Sequence, residues 1–139
     1  MRHKLYSAAI ALCMIAFFTI GSVPSQAAPK KTPITINSSY DFSVYPAEGT
    51  LTISGAFVAS GTVTMEYAFN HNFTIAHCLY IFVAPEGTIT IREECVFATP
   101  LQGQGRWEIV SGTGDYENLR GNGSALMPGN QENWEGFIY

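Results

Sequence analysis

From Thr35 to the end of the chain, polar and apolar residues alternate between glycine-marked turns, a period-two pattern that restricts the fold to β-sheet. Leu51, Ile53 and Phe57 share one side of a segment whose other side carries Thr50, Thr52 and Ser54. In the next segment Val63, Met65, Tyr67 and Phe69 oppose Thr62, Thr64 and Glu66. Strands of this kind suit an antiparallel sheet with one dry and one wet face. The pattern predicts eight strands, at 34–44, 50–58, 61–69, 73–83, 88–97, 104–110, 121–127 and 133–139. The fold class is all-β, an eight-stranded antiparallel β-barrel, with a β-sandwich as the alternative; closure removes edges that would otherwise pair with other chains. Asp115 to Arg120 is the only segment with a helical spacing, through Tyr116 and Leu119.

The first residues carry a different signal. Arg2, His3 and Lys4 precede an apolar run from Leu5 to Ile20, and Ser25-Gln26-Ala27 supplies small residues where a signal peptidase cuts. Residues 1–27 are therefore expected to be a cleaved signal peptide, 28–33 a short leader and 34–139 a single barrel domain, secreted or periplasmic. A retained anchor is the other reading, since the run is only slightly short of the ~20 residues that span a bilayer. Beyond the cut, five basic residues face eleven acids, and Lys30 and Lys31 lie in the leader. Three arginines are too few for the basic surface that nucleic acid or an anionic membrane requires, so neither is expected as a partner.

Cys78 and Cys95 remain after cleavage, and an exported chain with two thiols suggests a disulfide. If Glu86 and Gly87 form the two-residue loop of the central hairpin, Cys78 falls opposite Cys95 and Tyr80 opposite Glu93. Two buried free thiols are the alternative.

The segment Gly105-Arg-Trp-Glu-Ile-Val-Ser-Gly-Thr-Gly-Asp-Tyr, continuing to Leu119-Arg-Gly-Asn-Gly123, resembles a hallmark of the allene oxide cyclase and dirigent-like (calycin-like) β-barrels. There an aromatic-bearing strand leads into Gly-Thr-Gly, an aromatic residue and an Arg-Gly pair. The resemblance implies an eight-stranded antiparallel barrel with an apolar interior. It also implies either ring-forming isomerisation or the steering of a reaction without redox chemistry. Gly112, Gly114, Tyr116, Gly121 and Gly123 are the structural positions of this segment. Gly112 and Gly114 are expected to shape a tight turn, Gly121 to end the loop left-handed, and Tyr116 with Leu119 to plug the barrel.

Glu93 is the leading candidate for chemistry. It shares parity with Ile89, Ile91, Cys95 and Phe97, a face that should point inward, and a buried carboxylate is costly unless paired. Tyr80 is its expected neighbour, with an arginine (Arg92, Arg106 or Arg120) as a further partner. A bulge turning Glu93 to water is the competing reading. His71 and His77 lie about 20 Å apart on an extended strand, too far to share an ion, so no metal and no cofactor is expected. Phe57, Tyr67, Phe82 and Trp107 are the expected lining of a ligand pocket within a set of inward aromatics that includes Phe42, Phe69 and Phe97. An eight-stranded barrel either fills with such side chains or holds one small ligand. Three functions remain open: binding of a small apolar or aromatic molecule, a cyclase or isomerase using Glu93 and Tyr80, and a filled barrel with a structural or interaction role. A homo-oligomer is compatible with each.

Overall fold

β-Branched and aromatic residues favour a pleated, half-buried surface, and in this chain they occupy eight strands in unbroken succession. The computed structural model describes residues 27–99 and 102–139. The strands are β1 (Thr32–Asp41), β2 (Ala47–Gly55), β3 (Ala59–Phe69), β4 (Ile75–Ala84), β5 (Gly87–Thr99), β6 (Gln102–Gly112), β7 (Gly121–Pro128) and β8 (Gln131–Ile138). Each pairs antiparallel with its neighbours in sequence, and β8 returns to β1 through Ile36 opposite Trp134, closing the barrel. The sandwich alternative is excluded. The expected cleavage segment lies almost entirely outside the described residues, and β1 begins at Thr32, two residues before the expected start of the barrel domain.

Alternate residues of every strand fill the interior. Ile34, Ile36, Leu51, Ile53, Val63, Met65, Tyr80, Phe82, Ile89, Ile91, Trp107 and Trp134 form its apolar mass. Apart from Glu93 and Glu132, the charged residues of the strands face out with most threonines, and there Arg92 pairs with Glu108 across β5 and β6.

The two ends differ. At one, the β6–β7 loop forms a 3-10 turn at Gly114–Tyr116, which puts the buried Tyr116 ring 5.5 Å from Phe57. This loop clamps onto the β4–β5 turn: Asp115 N–H donates to Glu86 O (3.0 Å) and Thr88 N–H to Thr113 Oγ1 (3.0 Å). Gly114 has φ +60°, and a Cβ there would sit 2.2 Å from Glu86 O, so glycine is required by both conformation and space. Gly121, in contrast, has no left-handed backbone; it opens β7, where a side chain would meet Phe137 O at 2.8 Å. Tyr116 is buried at this end, with Leu119 and Phe57 partly buried against the core.

The central hairpin corrects the expected register. Its two-residue loop is Pro85–Glu86, with Ala84 opposite Gly87, which shifts every pair by two residues. Cys78 faces Glu93, Cys95 faces Ala76, and Tyr80 faces Ile91. The two cysteines become diagonal neighbours, typically ~7–8 Å apart and somewhat less between Cβ atoms, against the ~3.5–4.5 Å between Cβ atoms that a disulfide needs. Both are free and buried.

Candidate functional site

The end opposite the plug is an aromatic mouth. A cavity of about 240 Å³ opens there, lined by Phe42, Met65, Tyr67, Phe69, Ala76, Cys78, Phe97, Met127, Gly129 and Asn130. Its rings meet edge-on or tilted, with Phe42 6.0 Å from Tyr67, Tyr67 5.9 Å from Phe69 and Phe69 5.6 Å from Phe97. Phe42 and Phe69 are each 41% exposed, so they form the rim, while the buried Met65, Ala76 and Cys78 lie deeper.

Of the four expected lining residues, only Tyr67 lies in this cavity. Phe82 and Trp107 are 0% and 2% exposed and belong to the packed core. Phe57 sits in the plug at the far end. The aromatic content therefore divides between a filled half and a hollow half.

Beneath the mouth lies a polar cluster in an otherwise apolar interior. Glu93 points inward and is 1% exposed. The irregularities of β5 fall at Thr90/Ile91 and Phe97/Thr99, leaving Glu93 in regular strand. Across the lumen stands Glu132 of β8, 0% exposed. Tyr80 Oη lies between them, 2.7 Å from Glu93 Oε2 and 3.1 Å from Glu132 Oε2, and the Cys95 thiol donates to Glu93 Oε1 over 3.3 Å. The contact between Tyr80 and Glu93 survives the corrected register because diagonal neighbours remain within reach of long side chains.

Small residues let the two acids approach. Between β5 and β8 the inward positions of β6 and β7 include Gly103, Gly105, Gly123 and Ala125. A Cβ on Gly105 would stand 2.0 Å from Glu93 Oε1. That glycine is the cradle of the carboxyl group.

A phenol carries one proton, so it serves one of two acceptors. Tyr80 donates along the shorter contact to Glu93, and the longer contact is completed when a protonated Glu132 donates to the phenol oxygen. The electrostatics agree: burial, then the nearby Glu93 charge, raises Glu132 well above the usual carboxyl range. Burial and then the charges of Glu132 and Glu93 also raise Tyr80. Burial and Glu93 push the Cys78 thiol up to about 12 and Cys95 higher still, so neither is a ready nucleophile in this setting.

Among the described residues no arginine assists. Arg92, Arg106 and Arg120 all lie outside the barrel, Arg92 on Glu108 and Arg120 on the Leu119 carbonyl. Glu132 itself escapes the sequence reading because the last strand was expected to start at 133, which leaves it in a turn. Its parity with Trp134 is the signal that marks it as inward. Ser38, opposite Glu132, and Tyr40 complete the cluster; Ser38 Oγ, Tyr40 Oη, Glu132 Oε1 and the Trp134 Nε1–H are buried and make no well-formed hydrogen bond among the described residues. Compared with known proteins, the chain matches no family model, no curated protein and no solved structure.

Proposed function

We propose that the protein is an exported barrel that binds a small apolar or aromatic molecule in the mouth defined by Phe42, Tyr67, Phe69 and Phe97. The observation that carries this reading is the one-ended cavity, aromatic at its rim and backed by methionine, alanine and cysteine at depth. About 240 Å³ is below the ~300–1,000 Å³ typical of drug-sized ligands, so the ligand is one or two rings in size. The likeness of Gly105–Gly123 to the allene oxide cyclase and dirigent-like barrels supports the same reading on that segment alone.

Native mass spectrometry of protein purified from its own source tests it. A bound small molecule that an Ala76→Phe variant, which fills the cavity, no longer retains is the expected result. Ligand-free protein that also takes up no small aromatic compound overturns it.

A second reading is favoured by the hydrogen-bonded Glu93, Tyr80 and Glu132, a proton-sharing set directly below the ligand. In a cyclase or isomerase, Glu93 would move the proton and Tyr80 would relay it. The recovered molecule decides between the two: conversion to an isomer by wild type and not by Glu93→Gln supports the enzyme, and unchanged recovery supports binding alone.

A further inference from the structure

Glu93 and Glu132 are buried without a base. Among the described residues no lysine, arginine or histidine is buried, and the cluster's neighbours are aromatic, small or apolar. Buried acids are stable when protonated, when paired with a cationic side chain or when bound to a metal ion. The second is absent here, and the donor set fits the third. Glu93, Cys95 and Glu132 each present a ligand atom, and these atoms lie within 4.8 Å of one another. Two ligands of a tetrahedral ion with bonds of ~2.0–2.3 Å stand roughly 3.3–3.8 Å apart, and Cys95 Sγ is already 3.3 Å from Glu93 Oε1.

Unpartnered polar atoms mark the same spot. The Tyr40 hydroxyl, on a residue 4% exposed whose ring stands 5.9 Å from that of Tyr80, makes no well-formed hydrogen bond. Glu132 Oε1 is likewise unpartnered, on a side chain 0% exposed. Native interiors rarely leave such oxygens without a partner.

We propose that Glu93, Cys95 and Glu132 form a buried binding site for a divalent cation of the zinc class, reached through the aromatic mouth. One thiolate and two carboxylates suit a borderline ion such as Zn²⁺ better than Ca²⁺ or Mg²⁺, which prefer oxygen alone. Three protein ligands leave a fourth position for water. Binding displaces the Cys95 thiol proton and the proton shared by the carboxyl pair, so two protons leave as the ion's two charges arrive, and the formal charge of the cluster is unchanged. Tyr80 then donates its one proton to the Glu93 carboxylate from outside the coordination shell, the role of a hydrogen-bonding support around a metal. The site is independent of the apolar-ligand reading, which needs only the mouth above it.

The test uses the full chain, reduced and treated with chelator, then titrated with Co²⁺ and with Zn²⁺. The expected result is one ion per chain, a thiolate-to-cobalt charge-transfer band in the near ultraviolet, and a melting temperature raised by Zn²⁺, since only an ion bound to the folded state stabilises it. Cys95→Ser abolishes the band, and Cys95→Ser and Glu132→Gln each weaken binding by at least about tenfold. Cys78→Ser leaves both unchanged. Circular dichroism of each variant confirms the fold before binding is compared. Absence of stoichiometric uptake, a band that follows Cys78, uptake that Glu132→Gln leaves intact, or a melting temperature lowered by Zn²⁺ would each overturn the proposal.

Discussion

Glu93 and Glu132 show how much a single position depends on its strand boundary. Glu93 was legible because it sits mid-strand on an apolar face, whereas Glu132 lies one residue before the expected start of its strand and becomes inward only because β8 begins at Gln131. The raised Glu132 has a signed consequence for metal-free protein. The folded state holds its proton more tightly than the unfolded state, so this contribution to stability is complete below about pH 4.3 and drains as pH rises toward the raised value, by up to ~1.4 kcal/mol per pH unit. In the presence of chelator, Glu132→Gln is expected to gain stability over wild type as pH rises from 5 to 8; denaturant melts at several pH values check it, and a constant difference would contradict it. Gly105 gives a second prediction. Gly105→Ala drives a methyl into Glu93 Oε1 and is expected to cost roughly 1–3 kcal/mol, with much of that cost lost in a Glu93→Ala background. Additive costs in the double-mutant cycle would show that the two residues do not share this space.

All eight elements follow from residue alternation, because a period of two cannot be satisfied by a helix. What alternation could not fix was the pairing between elements. A shift of two residues in the β4–β5 hairpin keeps every side chain on its original face, so the hydrophobic pattern gives no preference between Glu86–Gly87 and Pro85–Glu86 as the loop. The contacts of the β6–β7 loop decide it, through Glu86 O and Thr88 N. The thiols report on this register. Unreduced protein is expected to add two alkyl groups on Cys78 and Cys95 when unfolded and none on these residues when native; a disulfide surviving denaturation would restore the other register. Gly114→Ala is expected to destabilise by about 1–3 kcal/mol, through a left-handed backbone and a clash with Glu86 O. A melt unchanged from wild type would remove the clamp from the account.

At the scale of the whole molecule, composition predicted an aromatic-rich interior without deciding whether it was solid or hollow. It is both, because the plug, Phe82 and the two tryptophans fill one half, while the rings near the other mouth stand around a space. That division depends on how far each strand extends past the core, which no local pattern encodes. The measurement that tests the account most directly is methyl NMR of the full chain during titration with indole. Saturable shifts at Met65, Ala76 and Met127, with Ala59 near the plugged end unmoved, are the predicted result. Shifts that fail to saturate, or that fall equally on both ends, would contradict a barrel with one open, ligand-sized mouth.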